Sequence, residues 1–108
     1  MTLCLPEFIH RYFAAEAAGN SAELAATFAP DGAVRDEGRD IRGAAAIAAW
    51  IDAAKARYGN TTEPLRTFEA GGRIHVIARV TGNFPGSPIE LDHRFTQSRL
   101  GITSLEIG

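Results

Sequence analysis

An α+β fold, with three N-terminal helices packed on an antiparallel sheet, is the class this 108-residue sequence predicts. Up to about residue 60 the chain is Ala-rich and repeats its apolar residues at helical spacing, whereas beyond it β-branched residues alternate with polar ones. Short connections between the later segments favour antiparallel neighbours. No internal repeat, low-complexity tract or linker-like run interrupts either half, so residues 1–108 read as one domain.

The first helix is expected to begin by Pro6, because proline is tolerated only in a first turn, with Thr2 as a candidate cap for a slightly earlier start. Gly19 ends it. Phe8, Tyr12 and Ala15 form an apolar stripe that Ile9 and Phe13 widen, leaving Glu7, Arg11 and Glu16 for water. A second helix should run from Asn20 or Ser21 to Phe28, with Asn20 and Glu23 in capping-box spacing and Leu24 and Phe28 facing inward. Pro30-Asp31-Gly32 is the expected stop, followed by a short extended piece from Ala33 to Arg35 and a turn at Asp36-Glu37-Gly38. The third helix, about Ala44 to Tyr58, is the clearest amphipathic segment: Ile47, Trp50, Ile51, Ala54 and Tyr58 recur on one face, and Gly59 terminates it.

Four strands follow, Glu63 to Ala70, Arg73 to Thr81, Ile89 to Gln97 and Ile102 to Ile107. In the second, Ile74, Val76, Ala78 and Val80 share one face while His75, Ile77, Arg79 and Thr81 share the other. In the third, Ile89, Leu91, His93 and Phe95 oppose Glu90, Asp92, Arg94 and Thr96. A strand with apolar residues on both faces needs a cover on the second one.

Composition excludes several classes of function. Apolar residues make up 45% and charged residues 22%, which is ordinary soluble globular usage and leaves no room for a membrane span. Eleven basic against 13 acidic residues, with the arginines scattered, give no basic stripe, so neither nucleic acid nor a membrane surface is expected as partner. The lone Cys4 cannot form an internal disulfide, and no metal-ligand spacing occurs, so neither metal nor cofactor is expected. MTLCLPEF has no basic and apolar signal pattern, which makes the cytoplasm the expected location if Met1 is the true start. Ser-His-Asp order, a phosphate loop and HExxH are all missing.

Several stretches carry a family likeness. Tyr12-Phe13-Ala14-Ala15 through Gly19-Asn20, then Leu24 to Val34, resemble the first helix, the "G-D" break and the entry into the first strand of the nuclear-transport-factor-2-like superfamily. Ile41-Arg42-Gly43 with Ile47 and Trp50 resembles its "G-x-x-x-I-x-x-W/F" helix start. The resemblance, which covers most of the chain and extends to SnoaL-like and ketosteroid-isomerase-like members, implies a strongly curved sheet wrapped around the helices as a cone-like half-barrel with an open mouth, a small apolar ligand in its pocket, and a homodimer formed through the sheet.

Within that resemblance, ketosteroid isomerase places an oxyanion tyrosine where Tyr12 stands and a general-base aspartate where Asp36 stands. Its third group, a protonated aspartic acid, falls on Leu91, with Asp92 one residue out of register and usable only through a bulge. A carboxylate in an apolar pocket gains basicity, and a nearby phenol steadies an enolate, so proton transfer beside a carbonyl is the expected chemistry, in an isomerase or a cyclase. SnoaL-like cyclases are similar in using acid–base side chains on the sheet, which makes His93 and His75 a second candidate set with Asp92 as orienter. Trp50, His75, Ile77, Leu91, Phe95 and Phe28 are the expected substrate-binding residues. Asp92 and Arg94 also resemble part of the superfamily's epoxide-hydrolase site, although nothing else in the sequence supports that match and an exposed or interface ion pair explains the spacing better. The other function class left open is a non-catalytic ligand-binding or dimerisation domain.

Overall fold

A computed structural model describes residues 3–108; the suggested Thr2 cap lies outside them. The elements run α1 Glu7–Ala18, α2 Ser21–Ala26, β1 Phe28–Asp36, β2 Arg39–Arg42, α3 Ala44–Tyr58, β3 Thr61–Ala70, β4 Arg73–Thr81, β5 Ile89–Ser98 and β6 Gly101–Ile107. The six strands form one sheet in the order β2-β1-β6-β5-β4-β3. The class is α+β as the sequence predicts, and the last four strands pair antiparallel throughout. The sheet as a whole is mixed, however, because β1 lies parallel to β6.

Helix boundaries follow the local chemistry. Gly19 adopts the left-handed conformation at φ 69°, its N–H and that of Asn20 returning to the Glu16 and Ala15 carbonyls. Asn20 Oδ1 accepts the Glu23 N–H at 3.1 Å, a cap contributing about 1 kcal/mol. Gly59 closes α3 in the same left-handed region, at φ 56°.

Two segments depart from the sequence reading. The second helix stops at Ala26 rather than Phe28, and β1 begins at once and passes through Pro30-Asp31-Gly32 instead of being stopped there. The Thr27 carbonyl accepts the Ile102 N–H at 2.9 Å, tying the chain to β6, and the register shift between Phe28 and Ala33 gives Pro30 a place outside the regular ladder. The unforeseen β2 folds back on β1 through the two-residue turn Glu37-Gly38, with φ of 52° and 75°. Positive φ at both central residues is the hairpin geometry that matches strand twist, and Glu37 gives little sequence signal for it.

Ile9, Leu24, Val34, Ile47, Val76, Ala78, Phe95, Ile102 and Leu105 are buried between the helices and the sheet. Tyr12 meets Phe13, Phe95 and Phe28 edge-to-face at centroid distances of 5.1, 5.5 and 6.1 Å, which fixes α1 against the inner face of the sheet. Glu16, expected in water, is 2% exposed, because the same helical face that carries Tyr12 carries it inward one turn later. In the β4–β5 register Val76 opposes His93 and His75 opposes Arg94. His75 and Ile77 therefore occupy the outer face of the sheet.

Gly101 sits at φ 135°, where a Cβ would approach Thr27 O to 2.7 Å and Ala29 N to 2.8 Å. Gly101→Ala is expected to cost roughly 2 kcal/mol or more through backbone strain and collision with the parallel β1–β6 seam, measurable by urea unfolding.

Candidate functional site

One cavity of about 290 Å³ opens between α1, α3 and the inner face of the sheet. Residues from both ends of the sheet border it, Asp36 at the end of β1 and Thr62 on β3, so the sheet bends around it. Tyr12 reaches it from α1, Trp50 from α3, and Leu91 and His93 from β5.

Asp36 is held by the turn that follows it and by Trp50, whose Nε1–H donates to Asp36 Oδ2 at 3.0 Å. One carboxylate oxygen is thereby committed and the other is left for a ligand. Burial, then the charges of Glu16 and Asp36, push the Tyr12 phenol above its ordinary value of 10, so it remains a neutral O–H donor. No partner for this hydroxyl occurs among the described residues.

His93 is 3% exposed, with its ring against Phe13 and Phe95. Its Nδ1 lies 3.1 Å from the Leu91 carbonyl; that oxygen can only accept, so Nδ1 carries the proton and Nε2 the lone pair. Burial lowers its pKa from 6.5 to about 4, aided by the Arg94 charge and opposed by the Leu91 hydrogen bond and the Asp92 charge. A neutral imidazole thus accompanies the carboxylate and the phenol on the cavity wall.

The other expected binding residues fall elsewhere. Phe28 and Phe95 pack behind Tyr12 as core, and His75 and Ile77 face outward because the β4–β5 register is odd-to-even across the pair. That register runs without a bulge from Ile74–Phe95 to Val80–Ile89, so nothing turns Asp92 inward, and apolar Leu91 stands at the wall position where the likeness calls for an acid. Asp92 instead accepts from His75 Nδ1 at 2.9 Å and pairs with Arg94 at 3.3 Å on the outer face. Arg73 and Arg94 both hold Glu106 there, keeping its carboxyl below the usual range. His75, Asp92 and Arg94 thus form one cluster on the outer face, and His93 stands apart from it on the inner face.

Sequence reading missed Glu16, Glu37, Tyr58, Asn60 and Phe84, which also border the cavity. The i,i+4 spacing of Tyr12 and Glu16 is a signal that finds one of them. Phe84 lies in a loop, where no periodicity points to it. Among the described residues no group of three His, Cys, Asp or Glu side chains is arranged to hold a metal ion, and no helix is long and apolar enough to cross a membrane.

The SnoaL-like domain profile matches residues 9–98, most of the chain. The protein belongs to the SnoaL-like family. Among solved structures, a provisionally assigned polyketide cyclase from Sinorhizobium meliloti is 40% identical with a TM-score of 0.90, the match covering 96% of this chain and 95% of that one. A protein of ketosteroid isomerase-like fold from Catenulispora acidiphila, solved with trimethylamine, is 22% identical with a TM-score of 0.83, over 97% of this chain and 86% of that one. An NTF2-like protein from Cytophaga hutchinsonii shares 13% identity with a TM-score of 0.77, over 100% and 91% of the two chains, which speaks to fold alone. No curated protein matches the sequence.

In this SnoaL-like domain the buried imidazole links stability to pH with a definite sign. The folded pKa of His93 lies below its unfolded value, so between about pH 6.5 and 4 the unfolded chain binds the extra proton and stability falls as pH falls. Relative to a His93→Leu variant, the native protein should lose roughly 2 kcal/mol more between pH 7 and pH 4.5, read from urea unfolding at each pH. Equal losses in the two proteins would show that His93 is not buried neutral.

Proposed function

We propose that this SnoaL-like protein is an enzyme of the isomerase or cyclase type, which moves a proton at a carbon beside a carbonyl of a small apolar substrate. The observation that carries the reading is the meeting of Tyr12, Asp36 and His93 on one cavity wall. The free oxygen of Asp36 takes the α-proton, and the Trp50 N–H on the other oxygen keeps the carboxylate aimed. Charge then develops on the substrate carbonyl oxygen, where the neutral Tyr12 O–H donates a hydrogen bond to it.

From the enolate, two outcomes are open to the same site. Returning the proton to a different carbon isomerises the substrate, while attack of the enolate carbon on a second carbonyl opens that C=O π bond and closes a ring, the new alkoxide taking up the proton that Asp36 removed. His93 Nε2, an acceptor in the neutral form, suits a hydroxyl of the substrate or the proton that must travel between positions. The cyclase outcome draws support from the Sinorhizobium meliloti relative, whose name is that of a polyketide cyclase. With Leu91 at the wall position of the missing acid, Tyr12 is the principal donor to the enolate, and demanding steroid isomerisation is not the favoured reaction.

The direct readout is α-proton exchange. With small cyclic ketones and 1,3-diketones in D₂O, the purified protein should incorporate deuterium at the α-carbon well above the buffer rate, followed by proton NMR. Asp36→Asn is expected to lower that rate by about 10²- to 10⁴-fold and Tyr12→Phe by about 10²- to 10³-fold. Rates equal to wild type in both variants, or no exchange with any bound ketone, would reject the enzymatic reading in favour of a ligand-binding domain.

A further inference from the structure

The end of the cavity formed by α1 and the α3–β3 connection holds polar atoms that the carbonyl chemistry does not use. Glu16 is 2% exposed and borders the cavity, and its Oε2 has no partner within the protein. Lys55 Nζ forms an ion pair with Glu16 Oε1 at 3.0 Å, which leaves Oε2 as the open acceptor. Asn60 Oδ1 is a second buried acceptor without a donor, on the same cavity. Since Lys55 Nζ also donates to the Asn60 backbone carbonyl at 2.7 Å, Glu16 and Asn60 flank a single ammonium and lie at one end of the hollow.

Buried acceptors left without donors are costly, so this end is complementary to a group that brings several N–H or O–H donors at once. Charge narrows the choice. No Lys or Arg borders the cavity, whereas Glu16, Asp36 and Glu37 do, and Lys55 is already engaged by Glu16 and Asn60. An anionic ligand would meet the carboxylates of Asp36 and Glu37 with no cation left to balance them. Tyr12, Tyr58 and Phe84 add aromatic surface around the same hollow, which suits a cation on a compact apolar body. The volume, that of roughly ten waters, limits the ligand to a small skeleton.

We infer that the ligand carries a protonated amine, with Glu16 as the specificity-determining residue that receives it and Asn60 as a second acceptor. This deepens the carbonyl-chemistry reading and rests on it only for the reacting end of the molecule. A hydroxyl supplies a single donor and no charge; an ammonium supplies three donors and the charge that the acidic wall lacks.

The test uses one skeleton with three head groups: cyclohexylamine, cyclohexanol and cyclohexanecarboxylate at pH 7. Trp50 is the chain's single tryptophan and borders the cavity, so its fluorescence reports occupancy. The amine should bind roughly tenfold or more tightly than the alcohol, with the carboxylate weakest, and Glu16→Gln should bring the amine-to-alcohol ratio close to one. Because Glu16→Gln leaves Lys55 without its partner, the double variant Glu16→Gln/Lys55→Met is measured beside it, with the same expectation for the ratio. An alcohol equal to the amine in the native protein, a carboxylate binding best, binding of none of the three, or an amine preference that survives in both variants would overturn the inference. No amine preference in the native protein, with ketone exchange intact, sinks this inference alone; absent exchange with the native preference intact sinks only the enzymatic reading.

Discussion

The pairing of β4 with β5 is the constraint on which the site depends. Side chains alternate across a strand, so the alignment of Val76 with His93 sends Leu91 and His93 toward the helices and Asp92, His75 and Ile77 to the opposite face. A slip of one residue would exchange the two sets. The inner set is kept in by burial of Val76, Ala78 and Phe95 against α1, and the outer set is kept out by ion pairs joining Asp92, Arg94, Glu106 and Arg73.

Helix α1 provides the complementary wall. Tyr12 is wedged among Phe13, Phe28 and Phe95, so its ring serves the core while the residue also borders the cavity. One side chain thereby couples packing to chemistry. The same enclosure that keeps Tyr12 protonated and His93 neutral makes hydrogen bonds inside the cavity stronger than in water. Asp36 escapes full burial at the end of β1 and is aimed by one indole N–H.

The parallel β1–β6 seam explains how both walls reach one hollow. It joins the β1–β2 hairpin, and with it Asp36, to the antiparallel meander that carries His93. Gly101, at a φ open chiefly to glycine and within 3 Å of the Thr27 and Ala29 backbone once a Cβ is added, marks how closely the two strands run at that seam.

Local pattern determined much of this protein on its own. The three helices, the glycines that end two of them, the later strands and the face sharing of Leu91 and His93 all follow from periods of 3.6 and 2 that short-range sterics impose. Tyr12 and Asp36 were also legible as site candidates from a positional match to a family pattern, Trp50 from the helix-start pattern and His93 from the strand face it shares with Leu91. What tertiary structure decided was everything that needs two distant segments in register: β1 through Pro30 beside β6, the inward turn of Glu16 toward Lys55, the exclusion of His75, Ile77, Phe28 and Phe95 from the cavity wall, and the arrival of Asn60 and Phe84 on it. Pairing register and the meeting of loops are set by the free energy of the whole packed core, and no run of neighbouring residues encodes them.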